Sequence, residues 1–106
     1  MDRLEQFRRK TEENPGNPLF RFSLGQALFE AGDFAEAEGH LQRCLESRPD
    51  WMVALLLRGR CLMELKRKAE AEEALRLALQ AAREQNHEDP EQEALALLAQ
   101  LETSPA

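Results

Sequence analysis

Apolar residues recur along this chain at spacings of three and four, in blocks separated by short polar or Gly/Pro-containing breaks. That period predicts amphipathic helices rather than strands. Leu4, Phe7 and Thr11 place one narrow stripe on a helix over 2–13, with Asp2 as N-cap and Glu5 three residues on. Asn14-Pro15-Gly16-Asn17 breaks it, and Pro18 suits the first turn of a second helix behind an Asn17 N-cap. Phe20, Leu24, Ala27, Leu28 and Ala31 form the apolar side of that helix. Gly32 then supplies a left-handed stop, and Asp33 with Glu36 is expected to cap the next helix. Phe34, Ala37, Leu41, Cys44 and Leu45 line the third helix, which Pro49 ends.

Asp50 is expected to cap a fourth helix, which is apolar almost all round: Met52, Val53, Leu55, Leu56, Leu57, Leu62, Met63 and Leu65. Such a helix is buried on two sides or presents a binding face. Lys66-Arg67-Lys68 forms a solvated turn. The fifth helix carries Ala71, Ala74, Leu75, Ala78, Leu79 and Ala82, and it lacks a proline stop because Arg83 stands where Pro49 stood. It is therefore expected to run about a turn longer. After Asn86-His87-Glu88, Asp89-Pro90 with Gln92 is expected to start a final helix whose Ala94, Leu97, Leu98 and Leu101 cover the open end. Thr103 to Ala106 is expected to fray.

A second regularity lies above the helical one. Gly25 recurs 34 positions later as Gly59, Leu28 as Leu62, Glu30 as Glu64, Ala35-Glu36-Ala37-Glu38 as Ala69-Glu70-Ala71-Glu72, and Leu41 as Leu75. A fixed period of this length marks stacked helix-turn-helix units that bury one another's apolar faces. The fold expected is all-α: antiparallel helix pairs in a short solenoid of about six helices, forming one domain over 1–106. Its parts are an N-terminal capping helix over 2–13, repeats over 17–50 and 51–85, and a C-terminal capping helix over 90–103.

Composition narrows the function. The 106 residues carry a formal net charge of −6, which opposes non-specific binding to nucleic acid. No apolar run approaches a membrane span. The start of the chain has no basic-then-apolar leader pattern, so a cytoplasmic setting is expected. No HExxH, GxSxG or glycine-rich phosphate loop is present, and His40 and His87 are far apart. Cys44 and Cys61 occupy small-residue packing positions and read as buried structural thiols. No enzyme activity, metal or cofactor is expected. Glu70, Glu72 and Glu73 with Arg76 read as an exposed ion-paired helix face, and Trp51, beside Pro49-Asp50, reads as a packing wedge between repeats.

In these residues the chain resembles the tetratricopeptide repeat family. Leu24-Gly25 and Leu28 match the large-small-large pattern of that family's first helix, and Ala37, Leu41, Cys44 and Pro49 match its second helix and stop. Gly59, Leu62, Ala71, Leu75 and Ala78 hold the same places one repeat on. Arg21 and Arg58 depart from the family pattern, standing where an aromatic and a Leu are usual.

The resemblance implies a right-handed solenoid that binds a protein or peptide in a groove lined by the first helix of each repeat. The groove positions would be Leu19, Phe22, Gln26, Phe29 and Glu30, then Val53, Leu56, Arg60, Met63 and Glu64. For Leu19, Val53 and Leu56 two outcomes stay open: exposure in the groove, or burial beneath the final helix. Phe29 and Met63 are expected to be exposed. Phe22 and Gln26 stand where some family members carry the Lys and Asn of a carboxylate clamp, so that recognition mode is not expected, and Arg60 is the groove's cation. Homodimerisation through the same apolar face is the alternative use.

Overall fold

The structure, a computed structural model, describes residues 2–103. Among them are six helices and no strand: α1 (Arg3–Glu13), α2 (Pro18–Glu30), α3 (Phe34–Ser47), α4 (Met52–Glu64), α5 (Lys68–Glu84) and α6 (Glu88–Thr103). Each packs against the next in chain order, and α4 also touches α2 and α6. The result is a slab of 40 × 31 × 20 Å. Thr103 ends α6; the rest of the segment expected to fray, residues 104–106, lies outside the described residues.

Three of the helix stops are one backbone solution with three different residues. Gly32 (φ 85°), Lys66 (φ 61°) and Asn86 (φ 57°) take the left-handed conformation. In each case the N–H of the following residue reaches back five positions: Asp33 to the Leu28 carbonyl, Arg67 to Leu62, His87 to Ala82.

The starts divide. Asp2 accepts from the Glu5 N–H at 2.9 Å, and Asn17 from the Leu19 and Phe20 N–H groups, with Pro18 in the first turn, as the sequence predicts. Asp33 occupies the N-cap position of α3 but makes no side-chain cap bond. Its ψ of 67° differs from the extended values of 174° at Asp2 and 106° at Asn17, because its own N–H closes the preceding turn. Asp50 does not cap α4. It sits in the Arg48–Trp51 turn, and Trp51, with no acceptor to offer, takes the cap position. Nor is Asp89 the cap of the last helix: α6 starts at Glu88, leaving Asp89 inside an acidic first turn that suits the helix dipole. α5, at 17 residues against 14 for α3, runs longer as the missing proline implies.

Two apolar clusters fill the interior. One gathers Leu24, Leu28, Ala37, Leu41, Ala54 and Cys61; the other centres on Met52, Leu55, Leu56, Leu62, Leu75 and the alanines of α5, closed by Ala94, Leu97 and Leu101 of α6. The paired glycines set the spacing. Gly25 and Gly59 are buried, and the side chains of Leu41 and Leu75 lie against them where a Cβ would stand.

Arg58, the departure from the expected Leu, has a local reason. Glu38 on α3 is buried, and Arg58 of α4 (3.9 Å) and Arg67 at the start of α5 (3.5 Å) both point at it. A carboxylate removed from water needs such company. Trp51 is half-buried between Phe22, stacked at a centroid distance of 4.9 Å, and the Arg48 guanidinium at 4.7 Å.

Candidate functional site

α2, α4 and α6 share one face of the slab, and a depression of about 250 Å³ lies on it. Phe22 and Gln26 of α2 form one wall, Val53, Leu56, Leu57 and Arg60 of α4 the floor and middle, and Pro90 and Glu93 of α6 the other wall. The helical period explains the set: Phe22 and Gln26 are four apart, as are Val53 and Leu57, Leu56 and Arg60, and Pro90 and Glu93 are three apart.

Five of the ten expected groove residues meet here: Phe22, Gln26, Val53, Leu56 and Arg60. Val53 is 51% exposed, and Leu19, on the same side of α2, is 58% exposed. Leu56 is not exposed. At 5% it belongs to the core, one of the two outcomes the sequence left open, and serves as the floor. Arg60 donates to Glu93 at 2.8 Å, so the groove cation is already held by a carboxylate from α6.

Phe29 and Met63, expected to be exposed, are half-buried. Phe29 packs edge-on to Phe34 at 5.4 Å, and Met63 leans on the second core. Glu30 is exposed and pairs with Arg3 at 2.6 Å, and Glu64 is exposed at the end of α4. None of these four lines the depression.

Leu57, Pro90 and Glu93 are lining residues that the repeat register did not supply. Leu57 was legible as part of the all-round apolar character of α4. Pro90 and Glu93 come from outside the repeats and enter only through the placement of α6.

Both cysteine thiols are free and buried. Burial pushes the Cys44 thiol up to about 11 and the Cys61 thiol up to about 12, so neither offers a thiolate near neutral pH. Among the described residues no group of three metal-ligating side chains converges, and no helix is long and apolar enough to cross a membrane. Of the expected ion pairs on the outer face of α5, Arg76 reaches Glu72 at 3.9 Å, while Glu70 pairs with Arg67 at 2.6 Å.

Comparison with known proteins agrees with this geometry. The tetratricopeptide repeat family model matches residues 2–51 and again 22–87. The TPR repeat-containing protein PA0015 of Pseudomonas aeruginosa is 33% identical over 86 residues, which cover 81% of this chain and 82% of that one. The solution structure of protein BPP2914 from Bordetella parapertussis superposes with a TM-score of 0.83 at 26% identity, covering 96% of this chain and 89% of that one. The TPR2B domain of yeast Sti1, in a complex with pHsp70, superposes with a TM-score of 0.85 at 19% identity, covering 93% of this chain and 79% of that one, a likeness of fold. Repeat period, helix pairing and these matches agree: the chain belongs to the tetratricopeptide repeat family.

Proposed function

We propose that this chain is a non-catalytic, cytoplasmic interaction module that takes a short apolar segment of a protein or peptide on its α2–α4–α6 face. The observation that carries the reading is the depression with Leu19 and Val53 standing 58% and 51% exposed on the same face. Two large aliphatic side chains left in water beside a preformed apolar hollow favour a partner that removes them from it. The Sti1 domain, which shares the fold, is in a complex with pHsp70. Leu56 and Leu57 provide the apolar floor, and Gln26 and the Arg60–Glu93 pair provide polar contacts for a partner's backbone.

Trp51, the only tryptophan, stacks on Phe22 at the edge of the hollow and is a built-in reporter. The test is selection of random short peptides against the immobilised protein, followed by titration of the winners while Trp51 emission is read. Leu19→Ser combined with Val53→Ser is expected to weaken binding at least about tenfold, the equivalent of ~1.4 kcal/mol, with urea unfolding unchanged. Peptides that bind the double variant as tightly as the parent would overturn the assignment of this face. A mass that doubles with concentration in sedimentation, and reverts in the same variant, would assign the face to self-association instead.

A further inference from the structure

On the other side of α2, away from α4 and α6, a cavity of about 280 Å³ opens between α1, α2 and α3. Arg8, Glu12, Arg21, Leu24, Glu36 and His40 are among the residues that line it. Arg21 is only 7% exposed. Its guanidinium donates to His40 Nδ1 at 3.1 Å and to the Pro15 carbonyl at 3.2 Å, two neutral acceptors. Accepting at Nδ1 leaves His40 Nε2 to carry the proton and face Glu36 at 3.6 Å. Burial first, and the charge of Arg21 second, lower the His40 pKa from 6.5, which keeps this ring neutral. Glu36 itself is held by Arg8, at 2.6 Å and 3.4 Å.

The side chains therefore run Arg8–Glu36–His40–Arg21, with two cations and one carboxylate. Among the described residues no carboxylate oxygen lies within 4.0 Å of Arg21. The contrast within the same molecule is informative. Buried Glu38 has two guanidinium groups pointing at it, whereas buried Arg21 has no counter-charge. Removing a cation from water without a partner is costly, and this one faces an open cavity with only two of its five N–H donors engaged.

We propose that the α1–α2–α3 cavity is a binding site for a carboxylate, anchored by the guanidinium of Arg21 and flanked by that of Arg8. A planar fork matches a carboxylate in two parallel hydrogen bonds. The ligand's charge is limited to one. The lining sets Arg8 and Arg21 against Glu12 and Glu36 and carries no net charge, so the two carboxylates disfavour a phosphate dianion more than a singly charged ligand that pairs with Arg21. Its body is small, since the cavity lies below the ~300–1,000 Å³ of pockets that enclose drug-sized ligands. Leu24 supplies an apolar wall. A free carboxylic acid and the chain terminus of a peptide share this chemistry.

The test titrates the full chain with sodium acetate, N-acetylglycine (a mimic of a peptide terminus) and sodium phosphate against sodium chloride at equal ionic strength. The readouts are the His40 ring and Arg21 side-chain NMR signals and the melting temperature. The expected result is a saturable shift of both residues with either carboxylate, a rise in melting temperature beyond the chloride control, and weaker binding of phosphate. Saturation by acetate assigns the site to free acids; saturation by N-acetylglycine alone assigns it to a peptide terminus. Arg21→Lys, which keeps the charge but loses the fork, is expected to weaken binding about tenfold, and Arg21→Gln to abolish it. Should Arg21→Gln fail to fold, Arg8→Ala, at a side chain 41% exposed, is expected to fold and to bind more weakly. Shifts that never saturate, or that chloride reproduces, would overturn the proposal, as would tighter binding of phosphate.

Discussion

Adding one methyl group to each of three helical glycines separates the packing role of these residues from their intrinsic effect on the helix. In a helix interior Gly→Ala gains about 1 kcal/mol from propensity alone. At Gly39 on α3 nothing lies within 4 Å of the new Cβ, so Gly39→Ala is expected to stabilise by close to that ~1 kcal/mol. At Gly25 the new carbon would stand 3.2 Å from both Cδ2 and Cγ of Leu41. A retreat of a few tenths of an ångström costs about what the propensity gains, and a net change within ~0.5 kcal/mol is expected.

At Gly59 the distances are 2.6 Å to Cδ2 and 2.8 Å to Cγ of Leu75. Carbon atoms are content at about 3.5–4.0 Å, so Leu75 must move by roughly 1 Å. It is fully buried among close-packed alanines of α5 and has nowhere to go. An overpacking cost of about 2–3 kcal/mol less the ~1 kcal/mol of propensity leaves Gly59→Ala a net ~1–2 kcal/mol less stable. Urea unfolding followed by far-UV circular dichroism measures all three, and the ranking Gly39→Ala, Gly25→Ala, Gly59→Ala is the result sought. A Gly59→Ala protein as stable as the parent would refute the close approach of α4 and α5 on which this reasoning rests.

Two further perturbations test the turns and the Arg8–Glu36–His40–Arg21 chain. Lys66 holds φ 61°, a conformation that disfavours side chains, so Lys66→Gly is expected to raise stability by about 0.5–1 kcal/mol in the same urea assay, and a loss would contradict the left-handed stop. The pH dependence follows from two depressed pKa values. His40 is neutral in the folded state because of burial and Arg21, so its contribution is complete above pH 6.5 and declines as pH falls through its lower folded value. Glu36 is lowered chiefly by the Arg8 hydrogen bond, and its contribution is lost in turn as pH falls below 4.5. Melting temperatures across this range are expected to fall in two stages in the parent, with His40→Gln removing the first and keeping the second; one unchanged curve in both proteins would show that His40 does not titrate against Arg21.

The period of 34 made the helix pairs legible, because equivalent residues must meet equivalent neighbours in a stacked array. The cap of α4 and the start of α6 were not, and Asp33 stands at the expected N-cap of α3 without its side-chain bond, since a capping motif names candidates while the preceding turn decides which residue arrives in extended geometry. Val53 and Leu56 show the limit for the candidate site. They lie three residues apart on one helix, yet one is 51% and the other 5% exposed. Leu56 belongs to the core that α5 and α6 close, and Pro90 and Glu93 of α6 line the same hollow from far along the chain. Arg21 read only as a departure from a pattern. Its partner His40 is 19 residues away on another helix, and no local spacing rule joins the two.

The helix α4 contributes to both apolar clusters: Ala54 and Cys61 to the first, and Met52, Leu55, Leu56 and Leu62 to the second. That makes it a party wall between two small cores. An array whose units touch only their neighbours opens most easily at its outermost members, and among the described residues α1 packs on α2 alone while α6 packs on α4 and α5. Loss of either terminal helix strips a single side of one core, and the other core keeps its wall. Loss of α4 opens both at once. Cooperativity in this chain is therefore concentrated in one helix, and the same helix supplies the floor of the hollow on the α2–α4–α6 face. A ligand seated there would press on the element that binds the two halves into one folding unit, so its occupancy and the integrity of the whole domain are mechanically joined.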